Sequence, residues 1–399
     1  MSEWKQLTEY ITKSKTILLS THRDPDGDGL GSEIGFYYYL KSINKNVNIV
    51  NISPTPDKYK FLDQEQIIQA YDKKMDSLIS ETDLVIVFDL GDFTRLGELG
   101  ERIKENNINI LHIRSRAPAW LLPFIDKKNL TTVSTFHNVY GHQNTIKKLY
   151  NKGLAKTDYI VAISKYVKEE IVEHYNINQK KIIVINNGID TDFYDAKINE
   201  EINFINFIKR KNILSDKKII LYPGRLTEWK GQLEFLNIVE KLKDRPYIFY
   251  FVGDDKNIIY TKKLTNEIRK KNLNYNCRIL GHLDKNELKM MYHCSDLVIS
   301  SPLKAEGFGR IISESLAMKK MMVAYNFGGV NNQLKGLDDI YKINPHNHEE
   351  LKKRIQLILS SSSENFNKLK QSGREHVVRY FSKKQMLEKY FNLYQGISS

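Results

Sequence analysis

Two cations and two carboxylates in the second half of the sequence could bind a ligand that carries a diphosphate and hydroxyl groups. Arg225 and Lys230 lie five residues apart on a glycine-bracketed loop after a strand-like run, where they could neutralise charge on a departing diphosphate. Glu306 begins a Glu-Gly-Phe-Gly segment directly before a predicted helix, whose N-terminal N–H groups and dipole favour an anion. Glu314 follows about two helical turns later, where a carboxylate suits ribose hydroxyls while Glu306 holds sugar hydroxyls. The predicted ligand contacts on this side, besides Glu306, are Arg225, Lys230, Gly307, Phe308, Gly309 and Glu314.

The N-terminal part of the sequence holds a second set of residues that could do chemistry. His22, Asp26 and Asp28 converge on the turn between a strand-like run and a helix, and Asp89 ends the run DLVIVFD. Side chains at the carboxyl ends of parallel strands meet at one edge of a sheet. Carboxylates with an imidazole suit Mn²⁺ or Mg²⁺. The same aspartates and glycines could instead build a turn and cap a helix.

Alternating strand-like and helix-like segments position both sets. β-Rich runs at 16–20, 84–89, 108–113 and 218–223 precede candidate residues, and helical patterns such as 31–42 separate them. This alternation is typical of parallel sheets with helices on both faces. We therefore predict an α/β fold.

Composition and charge narrow the class of protein. The chain of 399 residues is 41% hydrophobic and 27% charged, as expected of a globular protein with two or three domains. Two cysteines cannot form a metal cluster alone and suggest a reducing compartment. The net charge of +13 is uneven, since residues 1–110 hold 13 basic and 18 acidic side chains. The basic remainder could face a phosphorylated substrate, an anionic membrane or nucleic acid, or be a solvated surface. The N-terminus does not read as a signal peptide, and no stretch approaches the roughly 20 apolar residues of a membrane span.

The N-terminal set resembles the DHH phosphoesterase family over about residues 12–110. HRDPDGDGLGS matches the first motif of that family, and segments 53–63 and 88–99 match its second strand and second motif. The resemblance implies a Mn²⁺ or Mg²⁺ site at His22, Asp26, Asp28 and Asp89. The naming Asp-His-His should follow the strand at 108–110, but the chain reads Leu-His-Ile-Arg there, so at most His112 survives as a ligand.

From about residue 109 to the C-terminus, the chain resembles family 4 glycosyltransferases with the GT-B fold. The motifs are Asn-Gly-Ile-Asp at 187–190, Pro-Gly-Arg-Leu-Thr-Glu-Trp-Lys-Gly at 223–231, Phe-Val-Gly-Asp at 251–254 and the Glu306 segment with Glu314. The resemblance implies donor binding by the cations and carboxylates above. It also places His137, after the strand at 131–136, near the transferring sugar, so that His137 and Glu306 are the predicted catalytic residues. Arg114, Arg116 and Trp120 form a predicted acceptor-side or phosphate-contacting loop.

The two resemblances meet inside one predicted domain. Either family could use 108–113 as its fourth strand, so we predict one sheet that combines DHH-type and glycosyltransferase strands. The predicted divisions are 1–110, a DHH-like half-domain; 111–200, the rest of the acceptor-side domain; 201–382, the donor-binding domain; and 383–399, a helix that packs back. The fold class is therefore α/β with two Rossmann-like, GT-B-like domains. The glycine-rich opening typical of the transferase family is missing.

The sequence predicts a retaining glycosyltransferase that moves a sugar from a UDP-, GDP- or ADP-sugar to a hydroxyl of a glycan or lipid-linked acceptor. We expect a role in surface polysaccharide or lipopolysaccharide synthesis, at the cytoplasmic side with peripheral membrane contact. The transferase needs no cofactor, although Mn²⁺ or Mg²⁺ could occupy the N-terminal half-site, and no nucleic acid partner is expected. The alternatives are a Mn²⁺-dependent phosphoesterase for short oligonucleotides or cyclic dinucleotides, and an inactive nucleotide-binding chimera.

Overall fold

The chain divides into two compact units. Unit 1 comprises residues 1–186 and 386–399, and unit 2 comprises residues 187–385. The computed structural model describes residues 14–89, 93–105, 110–113, 131–138, 152–196, 201–213 and 216–397.

The unit boundary differs from the predicted divisions after residues 200 and 382. Unit 2 begins at the Asn-Gly-Ile-Asp turn, where the Ile189 N–H donates to the Phe381 carbonyl (2.9 Å) and the Lys383 N–H donates to the Ile189 carbonyl (2.7 Å). At Gly188, a Cβ would lie 2.6 Å from the Ser382 carbonyl oxygen. This close backbone contact ties the turn to residues 381–383, so the division falls at the turn rather than after residue 200.

Unit 1 contains eight described strands and four described helices, with the end of a fifth helix from the C-terminus. The strands are β1 Thr16–Ser20, β2 Asn46–Asn51, β3 Ile68–Ala70, β4 Leu84–Val87, β5 Ile110–Ile113, β6 Thr131–Phe136, β7 Tyr159–Ala162 and β8 Ile182–Val184. The helices are α1 Gly27–Ser42, α2 Asp76–Ser80, α3 Gly97–Glu105 and α4 Lys165–Tyr175.

The strands of unit 1 form two parallel four-stranded sheets. Their orders are β3-β2-β1-β4 and β5-β6-β7-β8. Strands β4 and β5 are neighbours, but among the described residues they are not paired by backbone hydrogen bonds. The expected single sheet is therefore present as two adjacent sheets. A shared core links the two, with Ile86, Ile110 and Val161 in one apolar cluster. Burial on both faces explains the continuous apolar runs in these strands.

Unit 2 is one parallel six-stranded sheet covered by helices. Its strands are β9 Lys218–Pro223, β10 Tyr247–Val252, β11 Cys277–Gly281, β12 Leu297–Ser300, β13 Met322–Tyr325 and β14 Lys342–Ile343. Its helices are α5 Glu201–Lys211, α6 Gln232–Lys241, α7 Ile258–Lys270, α8 Lys285–Cys294, α9 Arg310–Ala317, α10 Gly329–Leu334, α11 His348–Ser360 and α12 Asn367–Phe381. Helix α13 (Lys383–Ile397) starts in unit 2 and ends in unit 1.

The strand order of unit 2 locates its ligand-binding edge. The order is β11-β10-β9-β12-β13-β14, so the chain moves outward in one direction from β9 and in the other direction from β12. Ligands of open α/β sheets bind beyond the carboxyl ends of the strands at such a switch point. The loops after β9 and β12, which carry Arg225, Lys230 and Glu306, meet at this point.

Two further findings concern the cysteines and the lengths of the helices. Cys277 and Cys294 are free thiols. None of the helices in the described part of the chain is long and apolar enough to cross a membrane.

Candidate functional site

The loop after β9 has a backbone that its neighbours hold in place. The Tyr222 hydroxyl donates to the Lys230 carbonyl (2.6 Å), and the buried Gln232 side chain donates to the Arg225 carbonyl (3.0 Å). Gly231 has φ +81°, and a Cβ there would lie 2.5 Å from the Ser301 carbonyl oxygen. Glycine is therefore required at 231 both for its conformation and for its close approach to the β12 side. The backbone that carries Arg225 and Lys230 is therefore held in one position.

Trp229 and Glu306 hold the side chains of these cations. The Lys230 Nζ lies 4.6 Å from the centre of the Trp229 ring, and the Arg225 Cζ lies 5.9 Å from the same centre. The Lys230 ammonium also forms an ion pair with Glu306, with only 14% and 9% of the two side chains exposed. The structure thus brings together three residues that the sequence placed on two separate loops.

The loop after β12 is shaped by two glycines and a glutamine. The Gly329 N–H donates to the Glu306 carbonyl (2.7 Å). The Gln333 side chain accepts from the Gly309 N–H (3.0 Å) and donates to the Gly309 carbonyl (3.1 Å). The expectation that the loop N–H groups face an anion is therefore wrong for Gly309, because its N–H is already bound within the protein. Gly307 lies in this loop, whereas Phe308 packs with its ring centre 5.9 Å from that of Phe381.

Glu314 lies on α9 with both carboxylate oxygens engaged. One oxygen accepts from the Tyr292 hydroxyl (2.9 Å), and the other lies 3.2 Å from the Arg310 guanidinium. Glu314 is buried, while 68% of the Arg310 side chain is exposed. Burial raises the pKa of Tyr292 well above its usual value, and the Glu314 charge raises it further, so this hydroxyl stays a donor. Ribose binding at Glu314 remains a prediction.

The N-terminal set is only partly assembled. Ligand atoms of His22, Asp26 and Asp89 all lie within 4.8 Å of one another, but Asp28 does not join this group. Burial by itself lowers the pKa of His22, and hydrogen bonds to Asp89 and to the Arg23 carbonyl outweigh it, so the pKa is raised. The Asp26 carboxylate also caps α1, accepting from the N–H groups of residues 28 and 29 (3.0 and 3.2 Å).

An arginine beside this group disfavours a divalent cation. The Arg95 guanidinium lies 2.7 Å from the His22 Nδ1, and a positive charge at that distance repels a metal ion. His112 is not a ligand, which corrects the expectation. It is buried, its Nδ1 meets the Tyr394 hydroxyl, and its Nε2 lies 2.8 Å from the Thr135 hydroxyl. A strand residue facing α13 became a core histidine whose two ring nitrogens are satisfied by side chains.

The acceptor-side predictions are less complete. His137 directly follows β6 at its carboxyl end and is half-buried, as the sequence predicted for its position. Arg114, Arg116 and Trp120 lie outside the described residues.

Sequence reasoning missed four residues of the donor-side edge. They are Trp229, Arg310, Tyr292 and Gln333. Trp229 stands within a motif that the sequence singled out, and Arg310 stands between the two glutamates, so both could have been found from their neighbours. Tyr292 and Gln333 reach the site from α8 and α10, and no local pattern signals such long-range contacts.

Family models match both units. Residues 203–376 match the model described as "Glycosyl transferases group 1". Residues 79–193 match the model described as "Glycosyltransferase Family 4". The second match begins inside the region that resembles DHH phosphoesterases in sequence. It does not support the interpretation of residues 12–110 as a DHH-like half-domain.

Two curated relatives match most of this chain. An uncharacterized glycosyltransferase of Methanocaldococcus jannaschii is 25% identical over 413 residues, covering 97% of this chain and 100% of the relative. An uncharacterized 41.2 kDa protein in the cps region of Klebsiella pneumoniae is 25% identical over 308 residues, covering 74% of this chain and 80% of that protein.

Solved structures show the same fold. A glycosyltransferase from Rickettsia africae ESF-5 is 29% identical with a TM-score of 0.76, covering 96% of this chain and 98% of its own. The Anabaena protein HepE in complex with UDP is 15% identical with a TM-score of 0.66, covering 94% and 98%. The α/β fold with parallel sheets is confirmed, and it is that of GT-B glycosyltransferases.

Proposed function

Because this chain carries GT-B glycosyltransferase domains of group 1 and family 4, we propose that it transfers a sugar from a nucleotide-sugar donor to an acceptor hydroxyl with retention of configuration. Arg225 and Lys230 stabilise the diphosphate as the glycosidic bond breaks, since fixed cations act most strongly where charge develops. Glu306 holds the donor sugar, Glu314 holds the ribose, and His137 faces the reacting sugar.

The observation that carries this proposal is the meeting of cations and a carboxylate at the switch point of unit 2. Lys230 and Glu306 come from the loops after β9 and β12, and they form an ion pair in which both side chains are largely buried. Arg225 lies on the same indole ring as Lys230. A diphosphate and a sugar have the complementary groups, anionic oxygens for the cations and hydroxyls for Glu306.

The donor is a nucleoside diphosphate sugar. HepE, with the same fold, has been solved with UDP, and the two cations match a diphosphate rather than a single phosphate. The direct experiment is thermal unfolding of the chain with UDP, GDP, ADP and CDP. At a concentration of 100 times Kd, the bound nucleotide should stabilise the protein by about 2.7 kcal/mol. Stabilisation by none of the four would contradict donor binding.

Retention can be tested separately from binding. The anomeric configuration of the product, read by NMR against that of the donor, should be unchanged. An inverted product would refute the retaining mechanism and leave donor binding standing. Turnover should persist with EDTA, since the proposed roles fall on Arg225 and Lys230 rather than on a metal ion.

The acceptor belongs to surface polysaccharide or lipopolysaccharide synthesis. The relative from Klebsiella pneumoniae is described as lying in a cps region. The net charge of +13 favours contact with an anionic membrane face, and free thiols at Cys277 and Cys294 suit the reducing cytoplasm. Sedimentation with anionic and with zwitterionic vesicles tests the membrane contact. We expect the protein to bind the anionic vesicles only.

The group of His22, Asp26 and Asp89 fits a metal ion only in part. It offers three ligand atoms, while Arg95 opposes a cation. Phosphoesterase chemistry with two metal ions about 3.5–4 Å apart needs more ligands than this group supplies. If a single Mn²⁺ binds here, calorimetry should detect it, and Asp89→Asn should abolish that heat without changing sugar transfer.

A further inference from the structure

Trp229 lies under both cations that would meet the donor diphosphate. Its ring centre is 4.6 Å from the Lys230 Nζ and 5.9 Å from the Arg225 Cζ. The face of an indole attracts cations more strongly than any other protein ring. We propose that Trp229 is a positioning residue that holds Arg225 and Lys230 together for the donor diphosphate, a role that rests on the proposed function above.

Two like charges on one short loop repel each other, and the loop must oppose this repulsion before a ligand arrives. Lys230 has a second anchor, since it is paired with Glu306. Arg225 is exposed, and among the described residues no carboxylate lies within ion-pair distance of its guanidinium. The indole is therefore the main described contact that directs Arg225, and removal of the ring should release Arg225 more than Lys230.

The backbone of the loop does not depend on the indole. The carbonyls of Arg225 and Lys230 are bound by Gln232 and by the Tyr222 hydroxyl. The Trp229 carbonyl accepts from the Leu303 N–H (2.8 Å), a bond that any residue at 229 can make. Trp229 variants should consequently keep the loop in place and change only the direction of the two cations.

Because the loop backbone does not depend on the indole, the role of Trp229 can be tested by comparing the affinities of two ligands. The cations act on the diphosphate, so Trp229→Leu should weaken binding of the nucleoside diphosphate and leave binding of its nucleoside unchanged. The ligand is the tightest of UDP, GDP, ADP and CDP, compared with its own nucleoside by calorimetry. Loss of cation–π contacts to one exposed cation, Arg225, and one largely buried cation, Lys230, corresponds to about a tenfold weaker diphosphate affinity. Trp229→Phe keeps a ring and should recover most of it.

Phe204→Leu serves as the matched control. Phe204 is a half-buried aromatic residue of unit 2 on α5, where its ring meets that of His293 at 5.2 Å. This variant loses a ring without touching the loop, so both affinities should match the wild type.

Each outcome has a separate meaning. Unchanged diphosphate affinity in Trp229→Leu overturns the positioning role and leaves the proposed function intact. Equal weakening of nucleoside and diphosphate also overturns it, because the residue is then only structural. A wild-type protein that binds none of the four diphosphates refutes the proposed function, and the positioning role with it.

Discussion

Gly329→Ala should distort the Glu306 loop while leaving the rest of unit 2 in place. A Cβ at 329 would lie 2.1 Å from the Gly307 carbonyl oxygen, 2.6 Å from its carbon and 2.9 Å from the Glu306 carbonyl oxygen. All three atoms belong to the backbone, so no side-chain rotation can relieve the contact. The loop must move by at least about 1 Å to restore an ordinary van der Waals distance.

Two magnitudes follow from this displacement. Overpacking of this kind costs about 1–3 kcal/mol, which lowers the Tm of a unit of this size by about 2–12 °C. A misplacement of about 1 Å in a catalytic group costs on the order of 10²-fold in rate. Calorimetry measures the first quantity, and release of nucleoside diphosphate measures the second.

Gly336→Ala is the matched control for this prediction. Its φ is +84°, but a Cβ at 336 would meet nothing within 4 Å. The variant should lose about 1–2 kcal/mol through backbone strain alone and keep its turnover. If Gly329→Ala had wild-type turnover, or if both variants lost turnover equally, the steric reasoning would be wrong.

Three further predictions concern buried charges and hydrogen bonds. Burial lowers the pKa of Lys320 to about 8, so between about pH 8 and 10.4 the unfolded chain binds more protons than the folded protein. The free energy of unfolding should therefore rise with pH over that range. Lys320→Gln should flatten this rise in urea titrations, and an unchanged slope would show that Lys320 does not cause it. Lys230→Met leaves the buried Glu306 unpaired and should lower the free energy of unfolding by about 1–3 kcal/mol. In the double variant, Glu306→Gln should recover part of this loss. Additive effects of the two substitutions would mean that the ion pair is not formed. Tyr394→Phe removes the hydroxyl that meets His112 and should lower the free energy of unfolding by about 1–3 kcal/mol, and stabilisation by Mn²⁺ in this variant would contradict a purely structural histidine.

The sequence determined the fold class because its signals are local. Apolar runs such as Ile219–Tyr222 are long enough for a strand buried on both faces, and alternation with helices implies parallel pairing. The motifs at 223–231 and 306–314 likewise place cations and carboxylates directly after strands. The predicted strands at 131–136 and 218–223 agree with the structure residue for residue.

The sequence by itself could not determine which side chains meet across the sheet. Lys230 and Glu306 are 76 residues apart, and they pair because β9 and β12 are neighbours at the switch point. The fate of His112 depended on Tyr394, which is 282 residues away. Only tertiary packing decides such contacts, since hydrogen bonds and ion pairs depend on distance in space, whereas motifs record distance along the chain.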